Sequence, residues 1–124
     1  MEDNNFHPTD ANPLLPGFTK PNLNNHFGSG LPSDHSNQYP NFSKEQYAQK
    51  ALELVRSPVS NTIKGYKATR GLFIGSIVRY DTSTNDWVRG TSYGITTMFK
   101  PDEKSAYFKR ISKLETMEVE DAKF

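Results

Sequence analysis

The stretch Tyr93-Gly-Ile-Thr-Thr-Met-Phe-Lys-Pro101 has a glycine near its start, a proline at its end and β-branched or large apolar residues between them. That composition reads as a strand with a defined start and stop. A period of two puts Tyr93, Ile95, Thr97 and Phe99 on one face and Thr96, Met98 and Lys100 on the other. Just upstream, residues 78–89 read as strand, polar turn and strand, with turn chemistry at 81–85. Working outward, further strands are expected at 62–68, 72–80 and 86–89, and a closing helix at 102–114. Residues 43–56 carry the clearest helix. Ser43-Lys-Glu-Gln46 is a capping box, and Tyr47, Ala48, Ala51, Leu52 and Val55 recur at helical spacing until Ser57-Pro58 ends the pattern. One helix, a four-stranded antiparallel meander and a final helix make an α+β domain.

The N-terminal third is different. Six of the eight prolines and eight asparagines fall in residues 1–42, so regular structure is not expected before about residue 20. Residues 1–20 therefore read as a largely irregular leader and 21–124 as one domain. A helical turn at 21–27, with Pro21 near its start, is the exception. Phe6, Leu14, Leu15, Phe18, Leu23 and Phe27 suggest that this arm wraps onto a core.

The chain is 124 residues long and has no cysteine, which excludes disulfides and thiolate zinc sites. No apolar run is long enough to span a bilayer, and residues 1–30 lack a basic start followed by an apolar block. Formal net charge is partitioned: −3 over residues 1–42, +7 over 43–114 and −3 over 115–124. A basic centre suits a polyanionic partner such as RNA, although a solvated lysine-rich surface has the same composition.

RNA cleavage without a metal needs a base for the ribose 2′-OH, an acid for the leaving 5′ oxygen, and cations or hydroxyls on the phosphorane. Histidine suits the first two roles. Of the three histidines, His7 precedes a proline in the acidic leader and reads as structural. His26 and His35 lie in Leu23-Asn-Asn-His-Phe27 and Asp34-His-Ser-Asn-Gln-Tyr39. For a lone histidine, a loop hydrogen bond is the ordinary alternative. Lys64, Lys67 and Arg70 flank Tyr66 in a basic stretch. It reads either as phosphate contacts with base stacking on Tyr66, or as an edge strand protected by lysines. Arg79, Lys100 and Tyr107 are secondary candidates for RNA contact, Tyr107-Phe108 reading more readily as packing of the last helix on the sheet, and Trp87 reads as core or hairpin packing.

Several of these elements follow one another in a recognisable order. The strand with the Tyr80-Asp81…Thr84-Asn85…Trp87 turn, the Gly-Ile-x-Thr-x-Phe-x-Pro strand and the helix with Tyr107-Phe108 resemble the C-terminal nuclease domains of bacterial contact-dependent growth inhibition and other polymorphic toxins. Leu23…His26-Phe27, His35…Tyr39 and Ser43…Tyr47 resemble elements that precede the sheet in such toxins, and Met1-Glu-Asp-Asn-Asn5 loosely resembles their VENN-type junction. The resemblance covers residues 21–114. It implies a barnase/EndoU/colicin/RelE-like fold and a ribonuclease, with tRNA or another structured RNA as substrate. It also implies a cyclic-phosphate product, no cofactor and no metal. His35 and His26 become the candidate catalytic groups. His35 departs from the commoner histidine-glycine form by having Ser36 next. Thr97 takes the position whose hydroxyl contacts the scissile phosphate; Thr96, sharing a face with Lys100 under strict alternation, is the other candidate. Implied partners are RNA, a cognate immunity protein and a host activator. Delivery would come from a larger surface or secreted effector, with action in the target-cell cytoplasm. A toxin of different chemistry and a non-catalytic RNA- or protein-binding module are the alternatives.

Overall fold

The structure is a computed structural model and describes residues 8–116. The Met1–Asn5 junction stretch and His7 lie outside the described residues. Three helices, α1 (Lys20–His26), α2 (Lys44–Arg56) and α3 (Ser105–Glu115), accompany strands β1 (Ile63–Lys67), β2 (Ile77–Asp81), β3 (Asp86–Thr91) and β4 (Gly94–Phe99). The strands form one antiparallel sheet in the order β1-β2-β3-β4. The chain is thus α+β. Among the described residues, no helix is long and apolar enough to cross a membrane.

The capping box forms as expected. The Ser43 amide donates to Gln46 Oε1 at 2.8 Å, and Ser43 Oγ accepts from the Gln46 amide at 3.0 Å. With its first turn satisfied, α2 buries Tyr47, Ala51, Leu54 and Val55 against Ile77, Val88, Ile95 and Met98 on one sheet face. The opposite face carries Tyr66, Val78, Tyr80 and Trp87, covered by Tyr107, Phe108 and Ile111 of α3. The sheet is therefore the middle layer between two cores.

Among the described residues the arm has no regular element before α1, yet it is not loose. Leu15 is buried in the α2-side core, and the Asn12 amide donates to the Arg56 carbonyl at 3.0 Å. Arg79, fully buried, donates through Nε to the Ser57 carbonyl and through Nη2 to the Asp10 carbonyl. Burial pushes its guanidinium down to about 10, still charged at neutral pH. Gly65 makes room for it: a Cβ there would collide with Arg79 Nη1 and sit 2.7 Å from both its Cδ and the Val78 carbonyl oxygen.

Three elements depart from the sequence reading. The strand expected at 72–80 starts only at Ile77, because residues 71–75 form turns and Gly71 and Gly75 take left-handed φ of 88° and 92°. Leu72 and Ile74 are left exposed. The last helix starts at Ser105 rather than 102, after Lys104 at φ 56°. In β4 strict alternation fails. A register shift sets Gly90 opposite Ile95 but Arg89 opposite Thr97, which leaves Thr96 as the extra residue of a bulge. Ile95 consequently joins Met98 in the α2-side core, whereas Phe99 packs on the α3 side.

Candidate functional site

The β4 edge and the chain before α2 bring the two expected histidines together. The ring centroids of His26 and His35 are 5.8 Å apart, and the His35 ring stacks on Phe99 at 5.3 Å and 26°. Both histidines are half-buried. His26 lies at the C-terminal end of α1, whose start is capped by Thr19 with Pro21 in the first turn. His35 sits nine residues later, after a loop wound around one carboxylate. Asp34 Oδ1 accepts from the Gly28 and Ser36 amides at 2.9 Å, and Oδ2 accepts from Gly30 at 2.8 Å. These amide bonds, led by Gly28, hold the Asp34 carboxyl far below the usual range. The loop closes where the His35 amide donates to the His26 carbonyl at 2.9 Å.

The two imidazoles differ in their surroundings. His26 Nδ1 is 2.9 Å from the Asn22 carbonyl oxygen. A carbonyl can only accept, so Nδ1 carries the proton and Nε2 is left for other chemistry. No hydrogen bond from a described residue holds a ring nitrogen of His35. Burial pushes the His35 pKa down first and the neighbouring His26 pushes it further, against a smaller opposite pull from Asp34. The neighbouring imidazole thus adds to burial in disfavouring the charged form of His35.

Two side-chain amides join this region to β4. Asn22 Nδ2 donates to the Ile95 and Thr96 carbonyls at 2.7 and 3.0 Å. Gln38 Nε2 donates to the Lys100 carbonyl at 2.7 Å, and Gln38 Oε1 accepts from the Lys100 amide at 2.9 Å. Behind them lies Asp86, its side chain wholly buried. Asp86 accepts from the Tyr39 hydroxyl and from Thr84 Oγ1, each at 2.6 Å, and pairs with Lys100 at 3.0 Å and Lys50 at 3.3 Å. Burial alone would raise its pKa; the Thr84, Tyr39 and Lys100 hydrogen bonds together outweigh that and keep it low. None of these amides or carboxylates was singled out from the sequence. Asp34 between Gly28-Ser-Gly30 and Ser36 carries a readable turn signal; Asn22, Gln38 and Asp86 carry none, since their partners lie far along the chain.

The bulge sets where the two threonines lie. Thr97 lies opposite Arg89 and two residues from Phe99, on the α3-side face that His35 reaches through Phe99. Thr96 is the bulge residue, with its carbonyl bound by Asn22. Lys100 Nζ is held by Asp86 at 3.0 Å and the Thr84 carbonyl at 2.9 Å, and lies 4.9 Å from the centre of the Tyr39 ring.

The basic stretch is elsewhere. Lys64 and Arg70 are exposed and Lys67 half-exposed, but β1 is the far edge of the sheet. Tyr66 offers no face to a base. It is buried, its ring packs against Phe108, and its hydroxyl donates to Glu115 at 2.7 Å. Both Glu115 carboxylate oxygens also accept from Arg89 Nη2, so Tyr66 belongs to the joint between sheet and α3. Among the described residues, no group of three or more His, Asp or Glu is arranged to hold a metal ion. The chain matches no protein-family model and no curated protein.

Proposed function

We propose that the chain is a metal-independent endoribonuclease of the barnase/EndoU/colicin/RelE-like kind, acting as an interbacterial toxin on tRNA or another structured RNA. The observation that carries this reading is the His26–His35 pair, 5.8 Å apart on the β4 edge beside Phe99. Two imidazoles at that spacing can flank one phosphodiester, each within about 3 Å of an oxygen. His35, biased toward its neutral form, takes the 2′-OH proton. The 2′ oxygen then bonds to phosphorus, the P–O5′ bond breaks, and His26, entering the step as an imidazolium with Nδ1–H on the Asn22 carbonyl, delivers its Nε2 proton to the leaving 5′ oxygen and is left neutral. The products are a 2′,3′-cyclic phosphate and a 5′-hydroxyl. Thr97 donates its hydroxyl to a phosphate oxygen, and Phe99 with His35 forms an aromatic surface beside the splayed nucleotide. The toxin role, delivery within a larger effector, a host activator and a cognate immunity protein rest on the sequence resemblance alone.

The test is total tRNA incubated with the full chain in EDTA, wild type beside His35→Ala, with RNA ends mapped. Discrete cuts with cyclic-phosphate ends that vanish in the variant support the reading. Wild-type protein that binds RNA without cutting it would instead make the chain a binding module.

A further inference from the structure

Among the described residues, Gln38 is the one side chain that bonds both backbone groups of a single residue across the site. Its amide takes the Lys100 N–H and gives to the Lys100 C=O at 2.9 and 2.7 Å, the double bond pattern that a neighbouring strand would supply. Lys100 follows Phe99 directly, and Phe99 is the ring on which His35 stacks. On its other side the Gln38 amide donates to the His35 carbonyl at 2.9 Å, closing the single helical turn of residues 36–38. One residue therefore ties the His35 backbone to the β4 segment that carries its stacking partner. The next residue, Tyr39, pins the same turn to Asp86.

We propose that Gln38 is a positioning residue for His35, setting the register between the histidine-bearing turn and β4 so that the imidazole lies over Phe99 and beside His26. The consequence for RNA cleavage rests on the nuclease reading above; the register itself does not. Anchors at Asp34 and Tyr39 fix the two ends of the turn; Tyr39 lies under the Lys100 ammonium, but neither bonds the β4 backbone at Phe99–Lys100. Without Gln38 the turn keeps its ends and loses its alignment to the strand. The His35 ring can then swing off Phe99 into water.

Gln38→Met keeps side-chain volume and removes both bonds, and Gln38→Glu keeps the acceptor for the Lys100 amide while losing the donor. In Gln38→Met, kcat for RNA cleavage is expected to fall about 10- to 100-fold with KM within about twofold, the signature of a misplaced reacting group. Gln38→Glu should fall between that variant and wild type. Independently of RNA, the His35 imidazole titration followed by NMR should move up toward 6.5 in Gln38→Met, because the ring gains solvent and loses the burial that lowers it. The ring-current shift from Phe99 should shrink with it. A folded Gln38→Met with wild-type kcat and an unmoved His35 titration would overturn the proposal, as would a change in KM alone. If Gln38→Met does not fold, the same readings on Gln38→Glu decide. If wild-type protein cuts no RNA, the nuclease reading fails while the titration still tests the register.

Discussion

The two edges of the sheet make opposite use of exposed strand backbone. The β4 edge is sheathed by α1 and the turn at 36–38, and the sheath holds both histidines. The β1 edge carries Lys64 and Arg70 in the open and shelters Arg79 behind Gly65. Three strand spacings, roughly 14 Å, separate the two. Residues assigned to one RNA site on chemistry alone are thus divided between a place built for geometry and a place that offers only charge. A phosphate held between the histidines is out of reach of Lys64. The β1 cations can contribute to attraction and to a second stretch of backbone, not to the reacting group.

The largest test of this division is at the histidines. His35→Ala should lower cleavage by about 10²- to 10⁴-fold, as removal of a general base does, while leaving RNA affinity and thermal stability nearly unchanged. A comparable loss from Lys64→Ala would break the contrast between the edges. Next comes the support beneath β4. Asp86→Ala strands Lys50, Lys100, Tyr39 and Thr84 without their shared acceptor and should cost about 3–5 kcal/mol, read from urea unfolding. On the β1 side, Gly65→Ala should cost about 1–3 kcal/mol through the clash with Arg79; a neutral result would show that Arg79 does not bridge the arm and the sheet. Smaller still is the pH effect. Folding lowers the His35 pKa below its unfolded value of 6.5, so the unfolded chain binds more protons in the window just below that pH. The stability His35 contributes is full above about 6.5 and is lost as pH falls through the folded value. His35→Gln should flatten that part of a stability–pH profile. The smallest effect is expected from Lys64→Ala and Arg70→Ala. Each should weaken RNA binding a few-fold and reduce the salt dependence by about one unit of slope, with kcat unchanged.

How far the sequence led differs between these same regions. Local signals were read correctly. The Ser43–Gln46 box starts α2, Pro58 follows its end, and residues 81–85 join β2 to β3. Such features act within one or two turns of chain, where spacing alone carries the physics. Errors arose where a single backbone angle or a distant partner decides. The paired left-handed glycines at 71 and 75 end any strand between them, although Leu72-Phe73-Ile74 is ideal strand composition. The β4 bulge is fixed by how β3 and α1 meet β4, so simple alternation put Ile95 on the wrong face. Of the candidate site, His26 and His35 were legible as residue types but not as neighbours. Their approach depends on Asp34 gathering three amides. Tyr66 looked like a stacking residue because its burial depends on α3 and Glu115, nearly fifty residues away.

One consequence of the β4 sheath lies outside chemistry. Gly94-Ile-Thr-Thr-Met-Phe99 is a six-residue run with high β-propensity, no charge and no proline, the composition that stacks into intermolecular β-structure when its edge is bare. Here the Ile95 amide is taken by the Gly17 carbonyl at 3.2 Å, the Ile95 and Thr96 carbonyls by Asn22, and the following Lys100 backbone by Gln38. The chain has spent its own amides on the positions where a second molecule would add a strand. Asn22 and Gln38 therefore cover an edge that would otherwise be a template for strand addition.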